Sequence, residues 1–106
     1  MANKKVSYEK LERDYQADLM KKLKTEYGND NVNKIPGMVR PGIPDIEVTC
    51  GCKYARLEAK AYKDAEHQPL QDYYIDKCNK DGAFGRFIFP ENEEEVLADL
   101  RDYFNK

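Results

Sequence analysis

Two alternating runs constrain this chain most: DIEVTC at residues 45–50 and YARLEAKAY at 54–62, separated by Gly51-Cys52-Lys53. A period of two broken by a short glycine-containing stretch predicts a β-hairpin. Ile46, Val48 and Cys50 then share one face of the first strand, and Leu57, Ala59 and Ala61 share one face of the second. The opposite faces carry Asp45, Glu47 and Thr49, then Glu58 and Lys60. Residues two apart in a strand point the same way, so Glu58 and Lys60 are neighbours, and Asp45 faces them if the register allows. A lone Glu–Lys pair on an exposed strand is common and weak. Two carboxylates converging with an ammonium need a further reason.

The rest of the chain supplies a frame for that hairpin. Tyr8, Leu11, Tyr15, Leu19, Leu23 and Tyr27 recur every three or four residues, which predicts an amphipathic helix over residues 7–27, ended by Gly28-Asn29. Residues 28–44 hold Gly28, Pro36, Gly37, Pro41, Gly42 and Pro44 and read as a long loop of the kind that carries function. Pro69 suits the first turn of a helix that Gly82 would end, FGRFIF (84–89) reads as a third strand, and a last helix runs from Glu91 to about Phe104. Four glutamates at its start, Glu91 and Glu93 to Glu95, suit its dipole. The expected order is α-β-β-α-β-α: an α/β fold with a small mixed sheet of about three strands flanked by helices. The helix between the second and third strands would make them a parallel crossover.

At 106 residues, one domain spanning residues 1–106 is expected. No apolar run reaches membrane-spanning length, and MANKKVSYEK lacks the apolar core of a secretory signal, so a cytoplasmic protein with reduced thiols is expected. Cys50-Gly51-Cys52, Cys78 and the lone His67 lack the spacing of a structural zinc site, and the cysteines read as buried or turn residues. The net charge of −2 hides an asymmetry: residues 1–63 carry thirteen Lys/Arg against nine Asp/Glu, and residues 64–106 carry five against eleven. A basic patch on one side and an acidic surface on the other are compatible with that division.

Chemistry for the charged face follows from its residue types. Mg²⁺ takes oxygen ligands and accepts one or two carboxylates plus water and phosphate oxygens, which Asp45 and Glu58 could supply. Lys60 beside them would orient a water or phosphate and offset transition-state charge.

Pro44-Asp45 and Glu58-Ala59-Lys60 together resemble the motif of PD-(D/E)xK nucleases. Within that superfamily the chain is most similar to the stand-alone VRR-NUC proteins, many of them encoded by phages or bacteria. Their pattern runs as a helix bearing Glu then Gln, then G-x-P-D, then E-x-K, then a Gln at the start of a helix that ends near a Gly. All four parts occur here in order, over roughly residues 12–82. The resemblance implies a restriction-endonuclease-like core, Mg²⁺ (or Mn²⁺) as cofactor, and hydrolysis of DNA phosphodiesters.

Carried over position by position, Asp45, Glu58 and Lys60 match the core motif. Glu9 and Glu12 compete for the helix acid. Glu12 lies roughly 40° from the centre of the apolar stripe and Glu9 roughly 100°, and Gln16 completes an E-x-x-x-Q pattern with Glu12. Gln68 and Gln71 compete for the later glutamine. Gln68 suits the helix cap, whereas Gln71, with its amide on the attacking water or a phosphate, suits the motif. The implied metal ligands are Glu12, Asp45 and Glu58; the implied catalytic residues are Asp45, Glu58, Lys60 and Gln71. Lys34 and Arg40, in the loop before the motif, are candidates for DNA phosphates, and His67 is not expected to act as a base. The resemblance further implies a Holliday-junction resolvase-like enzyme acting as a homodimer on four-way or other branched DNA, in a host cytoplasm if phage-encoded. A nuclease fold kept only as a DNA- or protein-binding module is the alternative.

Overall fold

A computed structural model describes residues 4–36 and 39–106, with side chains from residue 10 onward. Tyr8 and Glu9 therefore lie, as side chains, outside the described residues. The chain forms α1 (Lys4–Tyr27), a 3-10 turn (Asn29–Asn31), β1 (Val32–Lys34), β2 (Ile46–Cys50), β3 (Lys53–Ala59), α2 (Pro69–Lys80), β4 (Phe84–Ile88) and α3 (Glu93–Phe104). The four strands make one mixed sheet in the order β1-β2-β3-β4, with β1, β2 and β3 antiparallel and β4 parallel to β3.

The hairpin has the predicted alternation. Ile46, Val48, Ala55, Leu57 and Ala59 are fully buried on one face, where Leu19 and Leu23 of α1 and Val96 and Leu100 of α3 cover them. The other face, carrying Arg56 and Glu58, receives α2 through Ile75 and Cys78. The result is three layers, with α1 and α3 on one side of the sheet and α2 on the other. Burial of the first layer's side chains supplies most of the driving force, at ~25 cal/mol per Å² of apolar surface.

Two expectations are corrected. The segment 28–44 is not all loop, because Val32–Lys34 pairs with Val48, Glu47 and Ile46 as an edge strand, making four strands rather than three. One inward residue, Val32, is too short a pattern to announce a strand, and the pairing partner decides it. Leu11, placed in the apolar stripe of α1, is 59% exposed. A helix of 24 residues is roughly 36 Å long, while strands of five to seven residues span roughly 17–23 Å, so one end of α1 outruns the sheet it packs on.

Close approaches lock α2 in place. A Cβ at Gly85 would meet Cys78 Cβ and the Ile75 carbonyl at 2.9 Å, so glycine lets the helix rest directly on β4. Asn79 then clips that contact, donating to the Gly85 carbonyl and accepting from its N–H, both at 2.9 Å. At the other end of α2, Gly42 has φ +86°, and a Cβ there would stand 2.5 Å from Leu70 Cβ. The loop before Asp45 is thereby pressed onto the first turn of α2.

Candidate active site

Asp45 stands immediately before β2, with its backbone held from two sides. Its carbonyl accepts the Ile35 N–H at 2.7 Å, an extension of the β1–β2 ladder. On the other side Ile46 pairs with Leu57, so the next step of the register sets Asp45 opposite Glu58. The Asp45 carboxylate accepts the Ala59 N–H. Glu58 and Lys60 lie on the α2-facing side of β3 and its continuation, where the Lys60 N–H donates to the Ile88 carbonyl at 2.9 Å. Both are almost fully buried, at 3% and 5% exposure.

Gln71, in the first turn of α2, organises this pair. Its Oε1 accepts from Lys60 Nζ at 2.9 Å and from the Gln68 N–H at 3.0 Å, and its Nε2 donates to Glu58 Oε2 at 3.1 Å. Lys60 Nζ lies 4.0 Å from the same Glu58 oxygen. The sequence expectation set the Gln71 amide on a water or phosphate. Here its oxygen accepts from Lys60 and Gln68 and its nitrogen donates to Glu58, so it holds those groups in place. Gln68 takes the N-cap position, as expected.

The electrostatics of the carboxylate pair are unusual. Burial, then the Asp45 charge, pushes the Glu58 carboxyl up to about 9, against the opposing pull of the Lys60 ammonium. Burial also raises Asp45, although the hydrogen bond with Glu58, the Ala59 N–H and the charges of Lys60 and Lys34 oppose it. Glu58 Oε1 is buried with no hydrogen-bond partner. Since Asp45 and Glu58 are both acceptors, they can bond to each other only through a shared proton. An orphaned buried oxygen costs about 1–3 kcal/mol, and a cation between the two carboxylates would relieve it.

That orphaned oxygen, with a second carboxylate beside it, fits a hard divalent cation. The third expected ligand does not join them: among the described residues, no three His, Cys, Asp or Glu side chains form a group able to hold a metal ion. Glu12, half-buried on α1, acts on Glu58 through its charge, as the smallest of the causes that raise it. α1 packs on the hairpin face opposite the one that carries Glu58 and Lys60, so helical phase alone does not set Glu12 at ligand spacing.

The remaining candidates separate. Lys34, exposed at the end of β1, is near enough to lower Asp45. Arg40 is exposed and sits away from the carboxylates, lining a cleft with Tyr54, Arg56, Tyr74 and Lys77. Tyr54 and Arg56 belong to no motif, yet the alternation that aligns Glu58 with Lys60 places them on the same face. His67 stacks on Phe87 with ring centroids 3.8 Å apart, and its Nδ1 is 3.2 Å from Asp72. The cysteines are free: Cys52 is exposed in the hairpin turn and Cys78 is buried on the sheet-facing side of α2. Among the described residues no helix is long and apolar enough to cross a membrane.

Comparison with protein-family models and with curated proteins finds no match. Among solved structures, the chain is similar to a VRR_NUC domain protein, with a TM-score of 0.69 and 18% identity over 90% of this chain and 88% of the other. The chain therefore has a VRR-NUC-like fold.

Proposed function

We propose that this chain is a divalent-metal-dependent endonuclease that hydrolyses phosphodiesters in branched DNA, in the manner of a Holliday-junction resolvase. The observation that carries the reading is the buried Asp45–Glu58 pair with its unpartnered Glu58 Oε1, beside a lysine held by Gln71. A binding module has no physical reason to keep two carboxylates where phosphates must approach.

Asp45 and Glu58 would hold the cation. Mg²⁺ or Mn²⁺ bound there supplies Lewis-acid polarisation of the scissile phosphate and a lowered pKa for water. Lys60, fixed by Gln71, orients the attacking water and offsets the charge that develops on the phosphate oxygens. Gln71 is a positioning residue, acting through Lys60 and Glu58. Burial of the pair keeps its charges in a low-dielectric site, where each interaction is stronger than in water.

Part of the acidic surface lies away from the carboxylate pair, although Asp72 and Asp76 of α2 remain on its side of the sheet. Glu93, Glu94, Glu95, Asp99 and Asp102 ride on α3, across the sheet from Glu58 and Lys60. Lys34 and Arg40 are the candidates for flanking phosphates. A homodimer would present two equivalent sites to the paired strands of a junction.

Cleavage of four-way junction, flap and linear DNA with Mg²⁺ or Mn²⁺ tests the reading. Metal-dependent cutting that prefers branched substrates and is lost in Asp45→Asn is the expected result. Cutting retained in Asp45→Asn or Lys60→Ala removes these residues from the mechanism, and junction binding without cutting under either metal favours the binding module.

A further inference from the structure

The α2-facing side of β3 does not end at the carboxylates. Tyr54 and Arg56 continue it, and with Arg40 of the loop, Tyr74 and Lys77 of α2 and Asp81 at its C-terminal cap they line a cleft of about 120 Å³. Arg56 lies one two-residue step from Glu58, roughly 7 Å, and Tyr54 one step further. Gln71 and Tyr74, three apart on α2, tie the same helix to both places.

The cleft combines two kinds of group. Three cations are present, Arg40, Arg56 and Lys77. Each of two has an acidic companion: Arg56 Nη2 is 3.2 Å from Glu47, and Lys77 Nζ is 2.9 Å from Asp81. Those companions are from a quarter to a half exposed, so the pairs are weak and a phosphate oxygen can replace the carboxylate. Three positive charges against two negative ones still leave the cleft cationic. The aromatic groups are Tyr54, over which the Arg56 guanidinium sits 5.4 Å from the ring centroid, and Tyr74, in edge contact with Tyr73 at 4.9 Å. Cations that follow a backbone, interleaved with rings on which bases stack, are the arrangement single strands select.

We infer that this cleft is a subsite for one nucleotide flanking the scissile bond, its phosphate on Arg40, Arg56 and Lys77 and its base against Tyr54 or Tyr74. The inference rests on the nuclease reading and adds to it: the strand being cut is followed along β3 as an unpaired strand, as a flap presents it and as a four-way junction does once a base pair beside the crossover opens. Duplex ends would not reach a tyrosine-lined cleft without unstacking a base.

Anisotropy of a short labelled single-stranded oligodeoxynucleotide, measured across salt concentration on the full chain carrying Asp45→Asn, separates the two levels. Arg40→Gln and Lys77→Gln should each weaken binding severalfold and lower the salt slope by about one. Tyr74→Leu should weaken it about tenfold with the slope unchanged. Lys21→Gln, on α1 across the sheet, should change nothing. Arg40 and Lys77 are exposed, so their loss leaves the fold intact. Unaltered affinity in all three cleft variants, with the native chain still cutting DNA, overturns the subsite and leaves the nuclease reading standing. A native chain that neither cuts nor binds overturns both.

Discussion

Gln71 donates its amide nitrogen to Glu58 Oε2 at 3.1 Å, while Oε1 of the same carboxylate is buried without a partner. One oxygen of Glu58 is held by Gln71, and its carboxylate and that of Asp45 can be joined only by a shared proton or a cation. The behaviour of this pair can be measured directly.

Replacing Asp45 by Asn should reduce metal-dependent cleavage below detection. Lys60→Ala should slow it by about 10²–10³-fold, the usual loss for one group that stabilises transition-state charge. Single-turnover cleavage of a four-way junction reads both.

The pH dependence of stability has a definite sign. Glu58 is raised from 4.5 to about 9, so the folded chain binds a proton that the unfolded chain has released between those values. Stability is full below about 4.5 and falls as pH rises toward 9, by at most about 1.4 kcal/mol per pH unit. Asp45, also raised, adds in the same direction. Urea unfolding of the metal-free chain from pH 5 to 9 should show this fall, and Glu58→Gln should flatten it. A wild-type stability that rises across that range contradicts the assignment.

Cation binding should displace that proton. Mg²⁺ or Mn²⁺ at a hundredfold excess over its dissociation constant should stabilise the native chain by about 2.7 kcal/mol and leave Asp45→Asn unmoved. Calorimetry in buffers of different ionisation heat should detect proton release at neutral pH. Equal stabilisation of Asp45→Asn places the cation elsewhere.

Removing the Gln71 amide takes one hydrogen bond from each of Lys60 and Glu58 in a buried site. Gln71→Ala should cost about 1–3 kcal/mol of stability and lower kcat more than it raises KM, because the amide positions Lys60 rather than binding substrate. A KM effect alone would assign it to the substrate instead.

Gly42→Ala tests the loop that delivers Asp45. Its positive φ and the 2.5 Å approach to Leu70 leave no room for a Cβ, so a loss of at least about 1 kcal/mol is expected by urea denaturation. Reduced cleavage should accompany it, since Asp45 lies three residues on.

Much of the architecture was legible because it rests on local periodicity. Alternation in DIEVTC and YARLEAKAY determined two strands and the face on which their residues lie, while the register, left open by the sequence, came with the pairing of Ile46 to Leu57. Pro69 and Gly82 bracket α2 closely, and the helix between β3 and β4 made their pairing parallel. Asp45, Glu58 and Lys60 share a face through hairpin alternation, whereas Gln71 was set with them by the resemblance and is brought there by the packing of α2 on β3.

What needed the tertiary structure depends on partners distant in sequence. Val32–Lys34 is a strand only because β2 has a free edge, and that strand supplies the Ile35 bond to Asp45. Leu11 is exposed because α1 outruns the sheet, a matter of relative lengths that no helical wheel contains. The role of Gln71 and the orphaned oxygen of Glu58 follow from which atoms meet across α2 and β3. Periodicity determines the direction in which a side chain points; only packing between elements decides what it meets, how deeply it is buried and therefore whether its charge is affordable.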